Sequence, residues 1–174
     1  MDTVRITCQR HDIEKIQRLY VRAFPENERR PLEPLLEDAT GCADVLAFYD
    51  GDLFCGFACL LTYGDLTHIL YIAIDEALRG RGYGTRALEA IRAFKPGRRI
   101  LADLEAERPD APNNAQRRRR RAFYGRNGYA ASPVAYAWRG EDYEIFVQGG
   151  SCTEEEFEQF WHFFDTENTR LSKY

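Results

Sequence analysis

The stretch ILYIAIDEALRGRGYGTRALEAIRAF, residues 69–94, decides how the chain is organised. Ile69 to Ile74 is apolar and rich in β-branched residues, which suits a buried strand, and the acidic pair Asp75-Glu76 ends it. Beyond the glycines, Leu88, Ile91 and Phe94 recur at helical spacing until Lys95-Pro96-Gly97 stops the run. The order is strand, glycine loop, helix. The first turn of a helix has N–H groups without intrahelical partners and carries the positive end of the helix dipole, so glycines there let a phosphate approach bare backbone. Arg79, Arg81 and Arg86 add positive charge, and the stretch reads as an anion cradle suited to a pyrophosphate.

The spacing excludes two common phosphate loops. A Walker A loop requires a Lys after its last glycine, and Thr85 follows Gly84. The dinucleotide fingerprint requires Gly-x-Gly-x-x-Gly, whereas Gly80, Gly82 and Gly84 are evenly spaced. Arg79-Gly80-Arg81-Gly82-Tyr83-Gly84 instead resembles the acetyl-coenzyme A motif of the GNAT acyltransferase superfamily, Gln/Arg-x-x-Gly-x-Gly/Ala, with its usual strand and acidic turn ahead of it. The resemblance implies that the main chain of Ile72, Ala73 and Ile74 hydrogen-bonds the pantetheine arm of acetyl-CoA. It implies too that the N–H groups of Arg81, Gly82, Tyr83, Gly84 and Thr85 hold the pyrophosphate, with Arg79 and Gly80 part of the same cofactor-binding loop. A second string, Phe123-Tyr124-Gly125-Arg126-Asn127-Gly128-Tyr129, is similar to the other GNAT signature, an aromatic-Tyr pair shortly before Gly-Phe/Tyr. Two signatures in the right order are far more specific than one. The fold class implied is α/β with an α+β-like, mixed but mostly antiparallel sheet of about 6–7 strands flanked by helices.

Working outward toward the N-terminus, Asp65 to Ile74 is preceded by two further strands, Val45 to Tyr49 and Phe54 to Tyr63, joined at Asp50-Gly51-Asp52. Thr3 to Cys8 alternates as a first strand, and Asp12 is placed to cap a helix whose apolar positions Ile13, Ile16, Leu19, Tyr20 and Phe24 share one face. Pro31 to Asp38 reads as a short second helix. The charged connection between these helices is a solvated loop or a substrate contact. By the GNAT resemblance it overhangs the acceptor site, where Glu28 or Arg29 meets an ammonium or a carboxylate.

Working toward the C-terminus, Arg99 to Ala106 is a strand with Leu101, Asp103, Glu105 and Glu107 on one side. Reached through a helix, it is expected to run parallel to Ile69–Ile74 by a right-handed crossover. A helix carrying Ala115, Ala122, Phe123 and Tyr124 follows, closed by Asn127-Gly128. Val134 to Trp138 and Tyr143 to Val147 form a hairpin, and Thr153 with Glu156 makes a capping box for a last helix striped with Phe157, Phe160, Trp161 and Phe164. That stripe is core, with a homodimer contact as the alternative. The whole is expected to be a single domain over 1–174, with 149–174 a C-terminal helical extension.

Composition bounds the function classes. With 174 residues, 44% hydrophobic residues and a net charge of −4, the chain is an ordinary acidic globular protein, not a bulk nucleic-acid binder. No apolar run reaches membrane-span length and the start lacks the apolar region of a signal peptide, so the expected location is the cytoplasm, with no membrane partner. Cys8, Cys42, Cys55, Cys59 and Cys152 contain no Cys-x-x-Cys pair, which argues against a disulfide framework or a thiolate metal site. Arg117 to Arg121 suggests RNA, yet successive helical residues point around the whole circumference and cannot form one basic face. The resemblance places some of them near the cofactor phosphates, while solvated positions are expected for at least three.

The chemistry follows from the implied reaction, acetyl transfer from acetyl-CoA to a primary amine of a small molecule or peptide by direct attack in a ternary complex. An amine with a pKa of about 10.4 is almost wholly protonated at neutral pH, so a base is useful. Glu105 and Glu107, on the acidic face of their strand, are the candidates. Many relatives carry the base on the preceding strand, where this chain has Leu70 and Tyr71, and nearby His68 ranks below the glutamates. Tyr124 occupies the family's usual general-acid position, to serve the leaving thiolate. The family often has an Asn where Arg117 stands, with Asn113 or Asn114 as the available substitutes. A noncatalytic acyl-CoA-binding module is the rival reading, since it would need the glycine loop but neither a base nor Tyr124.

Overall fold

A computed structural model of the chain describes residues 1–6 and 12–172. Its elements are β1 (Asp2–Ile6), α1 (Ile13–Ala23), α2 (Glu33–Leu36), β2 (Ala43–Asp50), β3 (Leu53–Tyr63), β4 (Leu66–Ile74) and α3 (Tyr83–Phe94), then β5 (Arg99–Glu105), α4 (Asn114–Arg126), β6 (Ala130–Trp138), β7 (Glu141–Gln148) and α5 (Glu154–Thr166). The strands make a seven-stranded mixed sheet in the order β1-β2-β3-β4-β5-β7-β6, flanked by the helices, which is the fold class read from the sequence. Two compact units divide the chain within β4. One is Met1–Thr62 with Ile69–Pro96, the other Tyr63–His68 with Gly97–Tyr174.

In the first unit β1 runs antiparallel to β2, with Val4 opposite Ala47, and β2 antiparallel to β3, with Val45 opposite Cys59. Six successive residues of β2 and seven of β3 are buried, so these strands are covered on both faces and read as continuous apolar runs without alternation. Leu46, Phe48, Phe57 and Leu60 have no exposed surface, and α1 adds Ile16, Leu19 and Tyr20 while α3 adds Ala87, Leu88 and Ile91. Each buried Leu, Ile or Phe among them contributes about 1.5–3 kcal/mol of apolar burial. Phe94, at the end of the α3 stripe, is exposed instead.

Three details depart from the sequence reading. Asp12 does not cap α1, because its carboxylate accepts from Tyr49 Oη at 2.7 Å and Lys15 Nζ at 3.3 Å. The second helix is only Glu33–Leu36, since Asp38 is drawn into the following loop, where it accepts from Thr40 and from the Ala43 N–H. The expected continuation of β1 to Cys8 lies outside the described residues.

In the second unit β7 lies between β5 and β6, antiparallel to both, with Asp103 opposite Ile145 and Tyr136 opposite Tyr143. The β6–β7 turn is tighter than expected. Arg139 (φ 51°) and Gly140 (φ 83°) are both left-handed, the two-residue hairpin geometry, and Trp138 already pairs with Glu141. The capping box of α5 is formed: Thr153 Oγ1 accepts from the Glu156 N–H and Glu156 Oε2 accepts from the Thr153 N–H. Phe157, Phe160, Trp161 and Phe164 are buried, so the stripe is core.

The reading of α4 needs correction. Ala115 and Ala122 are exposed, and the buried positions are Tyr124 and Arg117. Only Arg118 and Arg119 of the arginine run are exposed, because carboxylates at the ends of β5 and β7 draw in Arg117, Arg120 and Arg121. Cys55, Cys59 and Cys152 are free and buried, and Cys42 is half-buried. No helix among the described residues is long and apolar enough to cross a membrane.

Candidate active site

In the first unit β4 ends at Ile74, and its last residues lie against β3. The Asp75 N–H donates to the Cys55 carbonyl at 2.9 Å. Asp75 then accepts from the Ala77 N–H at 3.0 Å, which rounds the acidic turn, while Arg22 of α1 holds its other oxygen at 3.1 Å. Gly80 and Gly82 follow with φ of +75° and +83°, left-handed values that side chains resist. Gly82 is the N-cap of α3 and offers no side-chain cap. The opening N–H groups of α3 therefore stand at the exposed glycine loop with no intrahelical acceptor, and intrahelical bonding resumes when the Arg86 N–H reaches the Gly82 carbonyl. This arrangement fits an anion, because bare donors and the helix dipole favour negative charge at one place.

The three arginines around the loop are not equivalent. Arg86 is bidentate to Asp50 at 3.0 and 3.0 Å, and the Tyr83 hydroxyl donates to the same carboxylate at 2.8 Å. The Arg86 guanidinium, helped by the Tyr83 hydroxyl, holds the Asp50 carboxyl down at about 2. Arg79 has a loose contact to Glu76 at 3.5 Å. Arg81 is exposed and makes no ion pair among the described residues, so it is the cation most available to an incoming anion.

Glu28 and Arg29 lie at a short 3₁₀ turn tied down from below. The Tyr71 hydroxyl donates to the Glu28 carbonyl at 2.9 Å, and the Tyr20 hydroxyl accepts from the Arg30 N–H at 2.8 Å. Both phenols sit in an aromatic cluster with Phe24, in which Tyr71 meets Tyr20 and Phe24 edge-to-face, and burial raises both hydroxyls above their ordinary range. Tyr71 thus fills the β4 position expected to carry a base in relatives, and uses it to anchor a loop. The Arg29 Nε is buried without a hydrogen-bond partner.

In the second unit Tyr124 is buried between the edges of Phe123 and Tyr129, 5.3 and 5.1 Å away between centroids. Burial pushes its phenol up to about 12, so it stays protonated at any working pH. Glu105 is fully engaged: Arg120 reaches Oε2 at 2.8 Å, while Arg117 and Asn113 reach Oε1 at 3.2 Å each. It ties β5 to α4 and is poorly placed to accept a substrate proton. Glu107 is more open, with Arg121 and Arg118 no nearer than 3.8 and 4.0 Å. Asn113 and Asn114 are spent locally, on Arg117 and Glu105 and on the Arg108 N–H respectively.

One group of polar side chains escaped the sequence reading. His68 has no exposed surface, its Nε2 lies 2.7 Å from Asp103 Oδ1, and the Tyr136 hydroxyl donates to Asp103 Oδ2 at 2.8 Å. The alternation of β5 marks Asp103 as a neighbour of Glu105, but nothing local in the sequence connects it to His68 or Tyr136.

The family model described as the acetyltransferase (GNAT) family matches residues 13–129. A GNAT-family acetyltransferase structure from Bacteroides thetaiotaomicron is similar over 99% of this chain and 100% of its own, at 28% identity and a TM-score of 0.76. A Bacillus subtilis acetyltransferase in complex with CoA is similar over 84% of this chain and 96% of its own, at 16% identity and a TM-score of 0.58. An aminoglycoside 6'-N-acetyltransferase from Enterococcus faecium is similar over 85% and 96%, at 16% identity and a TM-score of 0.59. No curated protein matches the chain.

Proposed function

The chain belongs to the acetyltransferase (GNAT) family, and from that premise we propose that it transfers an acetyl group from acetyl-CoA to a primary amine by direct attack in a ternary complex. The observation that carries this reading is the exposed start of α3, where Gly82 leaves the first N–H groups bare beside Arg81. Residues Arg79 to Thr85 would hold the pyrophosphate of acetyl-CoA there, and the main chain of Ile72, Ala73 and Ile74 would meet its pantetheine arm. The bound thioester supplies an acyl carbon open to nucleophilic attack.

The remaining steps belong to this chain's own groups. A carboxylate removes the proton that keeps the amine unreactive, and Glu107 is preferred to Glu105, whose oxygens are committed to Arg117, Arg120 and Asn113. The main-chain N–H groups near Ile72 to Ile74 polarise the thioester carbonyl. As the C–N bond forms and the C–S bond breaks, Tyr124 offers its phenolic proton to the departing sulfur. Burial, which keeps that phenol neutral, makes it a persistent donor. Glu28 and Arg29 contact the acceptor, and transfer takes place in the cytoplasm, where acetyl-CoA is made and used.

The test is an assay for free thiol released from acetyl-CoA over a panel of primary amines, with a polyamine, an aminoglycoside and a peptide amino terminus among them. Amine-dependent thiol release is expected, and Tyr124→Phe should lower kcat by about 10²-fold while leaving the KM for acetyl-CoA within about twofold. Full activity of the Phe variant across pH would reduce Tyr124 to packing. Acetyl-CoA binding without turnover of any amine would make the protein a noncatalytic acyl-CoA-binding module.

A further inference from the structure

We propose that Asp50 is a positioning residue for the acetyl-CoA cradle: it holds the first turn of α3, through Tyr83 and Arg86, so that the bare N–H donors stand in place before the pyrophosphate arrives. This rests on the acyltransferase reading and deepens it. Tyr83 is the first residue of α3 and Arg86 follows within the same turn, so the two side chains leave the same face of the helix. One carboxylate, at the end of β2, meets both. The Tyr83 hydroxyl and Arg86 Nη1 donate to Asp50 Oδ2 at 2.8 and 3.0 Å, and Arg86 Nη2 donates to Oδ1 at 3.0 Å. The Arg86 guanidinium also lies over the Tyr83 ring, 5.1 Å from its centroid, so the two groups that meet the carboxylate brace each other.

A half-exposed ion pair contributes little by itself. Asp50 and Arg86 have 41% and 37% of their side chains exposed, so the effect of this pair depends on where it stands. It stands where α3 has least of its own to hold it. Gly82 provides no side-chain cap, and ordering a glycine costs more backbone entropy than ordering any other residue. Asp50 is anchored by the sheet instead: it pairs with Leu53 across the β2–β3 turn, and the strand that leads to it is buried between β1 and β3. The other end of the loop is held in the same manner. Asp75 accepts from Arg22 of α1 at 3.1 Å and from the Ala77 N–H at 3.0 Å. A carboxylate–arginine tie on each side leaves residues 76–82 between two fixed points, which lowers the ordering cost on binding.

Asp50 also decides which cation meets the anion. The bidentate pairing answers the charge of Arg86 and leaves Arg81 as the available cation at the loop. Arg86 in turn covers a carboxylate that would otherwise repel a phosphate at the start of the helix. The Asp50 carboxyl, held down at about 2, stays ionised, so the tie persists at any working pH. Asp50→Asn alone would therefore remove a tether and release a cation, two effects of opposite sign on anion affinity. Combined with Arg86→Gln it removes both charges at no change in net charge, and so isolates the tether.

The experiment titrates acetyl-CoA calorimetrically into the wild type, the Asp50→Asn/Arg86→Gln double variant, Tyr83→Phe and Asp50→Glu. Saturable binding by the wild type is expected, weakened at least about fivefold in the double variant and about threefold in Tyr83→Phe, and kept within about twofold in Asp50→Glu, whose carboxylate still reaches the guanidinium. In the thiol-release assay, with an amine that supports turnover, the double variant should raise the KM for acetyl-CoA by a similar factor and leave kcat within about twofold. That split is expected of a residue that acts on cofactor binding alone. Melting curves confirm folding, and Tyr83→Phe, which alters no charge, keeps the test decisive if the double variant unfolds. Wild-type affinity in both folded variants would overturn the assignment, as would a loss confined to kcat. No binding of acetyl-CoA by the wild type would instead remove the acyltransferase reading itself, and the cradle with it.

Discussion

Gly56 is a glycine because of what lies on the neighbouring strand. A β-carbon at that position would stand 2.2 Å from the Ala73 carbonyl oxygen and 2.9 Å from the Ile74 side chain. The first obstacle is backbone, so it cannot rotate away, and β4 would have to shift just where its main chain is proposed to meet the pantetheine arm. Gly56→Ala should cost about 2–3 kcal/mol, read as a lower urea midpoint at an unchanged slope. An unchanged midpoint would mean that β4 moves freely and that the close approach has no consequence. At this scale the sequence is legible only where spacing carries meaning. Gly82 could be singled out because it opens a helix, and Tyr124 because of its distance from Gly128. Gly56 reads as any strand glycine, and His68 as a lone histidine, because the contacts that explain them come from chain segments far away in sequence.

Elements are more legible than residues, because periodicity and caps are local. The α5 capping box is readable from Thr153 and Glu156 alone, yet the structure gives Glu156 a second task. Its carboxylate also receives Arg99 at 2.8 and 3.1 Å, and that guanidinium, together with the Thr153 N–H, holds the Glu156 carboxyl down at about 2. A carboxyl lowered by folding contributes stability above its unfolded value and loses it as pH falls. Glu156→Gln should therefore be less stable than the wild type by about 1 kcal/mol at neutral pH, a figure discounted for solvent screening of a side chain 37% exposed. The gap should narrow as pH falls from the ordinary 4.5 toward about 2 and vanish below it. A gap independent of pH, in denaturant melts across that range, would show that the loss is one of shape and not of charge. The helix read least well is α4. An arginine run suggests solvated positions when helical geometry alone is considered, and it took the carboxylates of β5 and β7 to bury Arg117 and to pair Arg120 and Arg121, which stay partly exposed. Tertiary charge pairing overrode a local rule.

At the scale of the molecule, the chain divides into two compact units. The first holds the glycine loop and the turn bearing Glu28 and Arg29, and the second holds Tyr124, Glu107 and the His68–Asp103–Tyr136 chain. The mixed seven-stranded sheet could be anticipated because a strand, a glycine loop and a helix, preceded by antiparallel strands and followed by a hairpin, leave few ways to bury so many apolar runs. The acceptor is not legible in the same way, since it depends on a few side chains placed by the fold and not on the fold itself. A site suited to an anion is, because bare helix N–H groups at a left-handed glycine favour negative charge whatever the rest of the chain does. The most direct measurement is a calorimetric titration of acetyl-CoA into the wild type and into Gly82→Glu, which sets a side chain at φ +83° and a negative charge at the start of α3. The wild type should bind one equivalent saturably, and a folded Gly82→Glu variant should bind at least about 10²-fold more weakly. Equal affinity in the two proteins, or no binding by the wild type, would contradict the cradle and the function proposed on it.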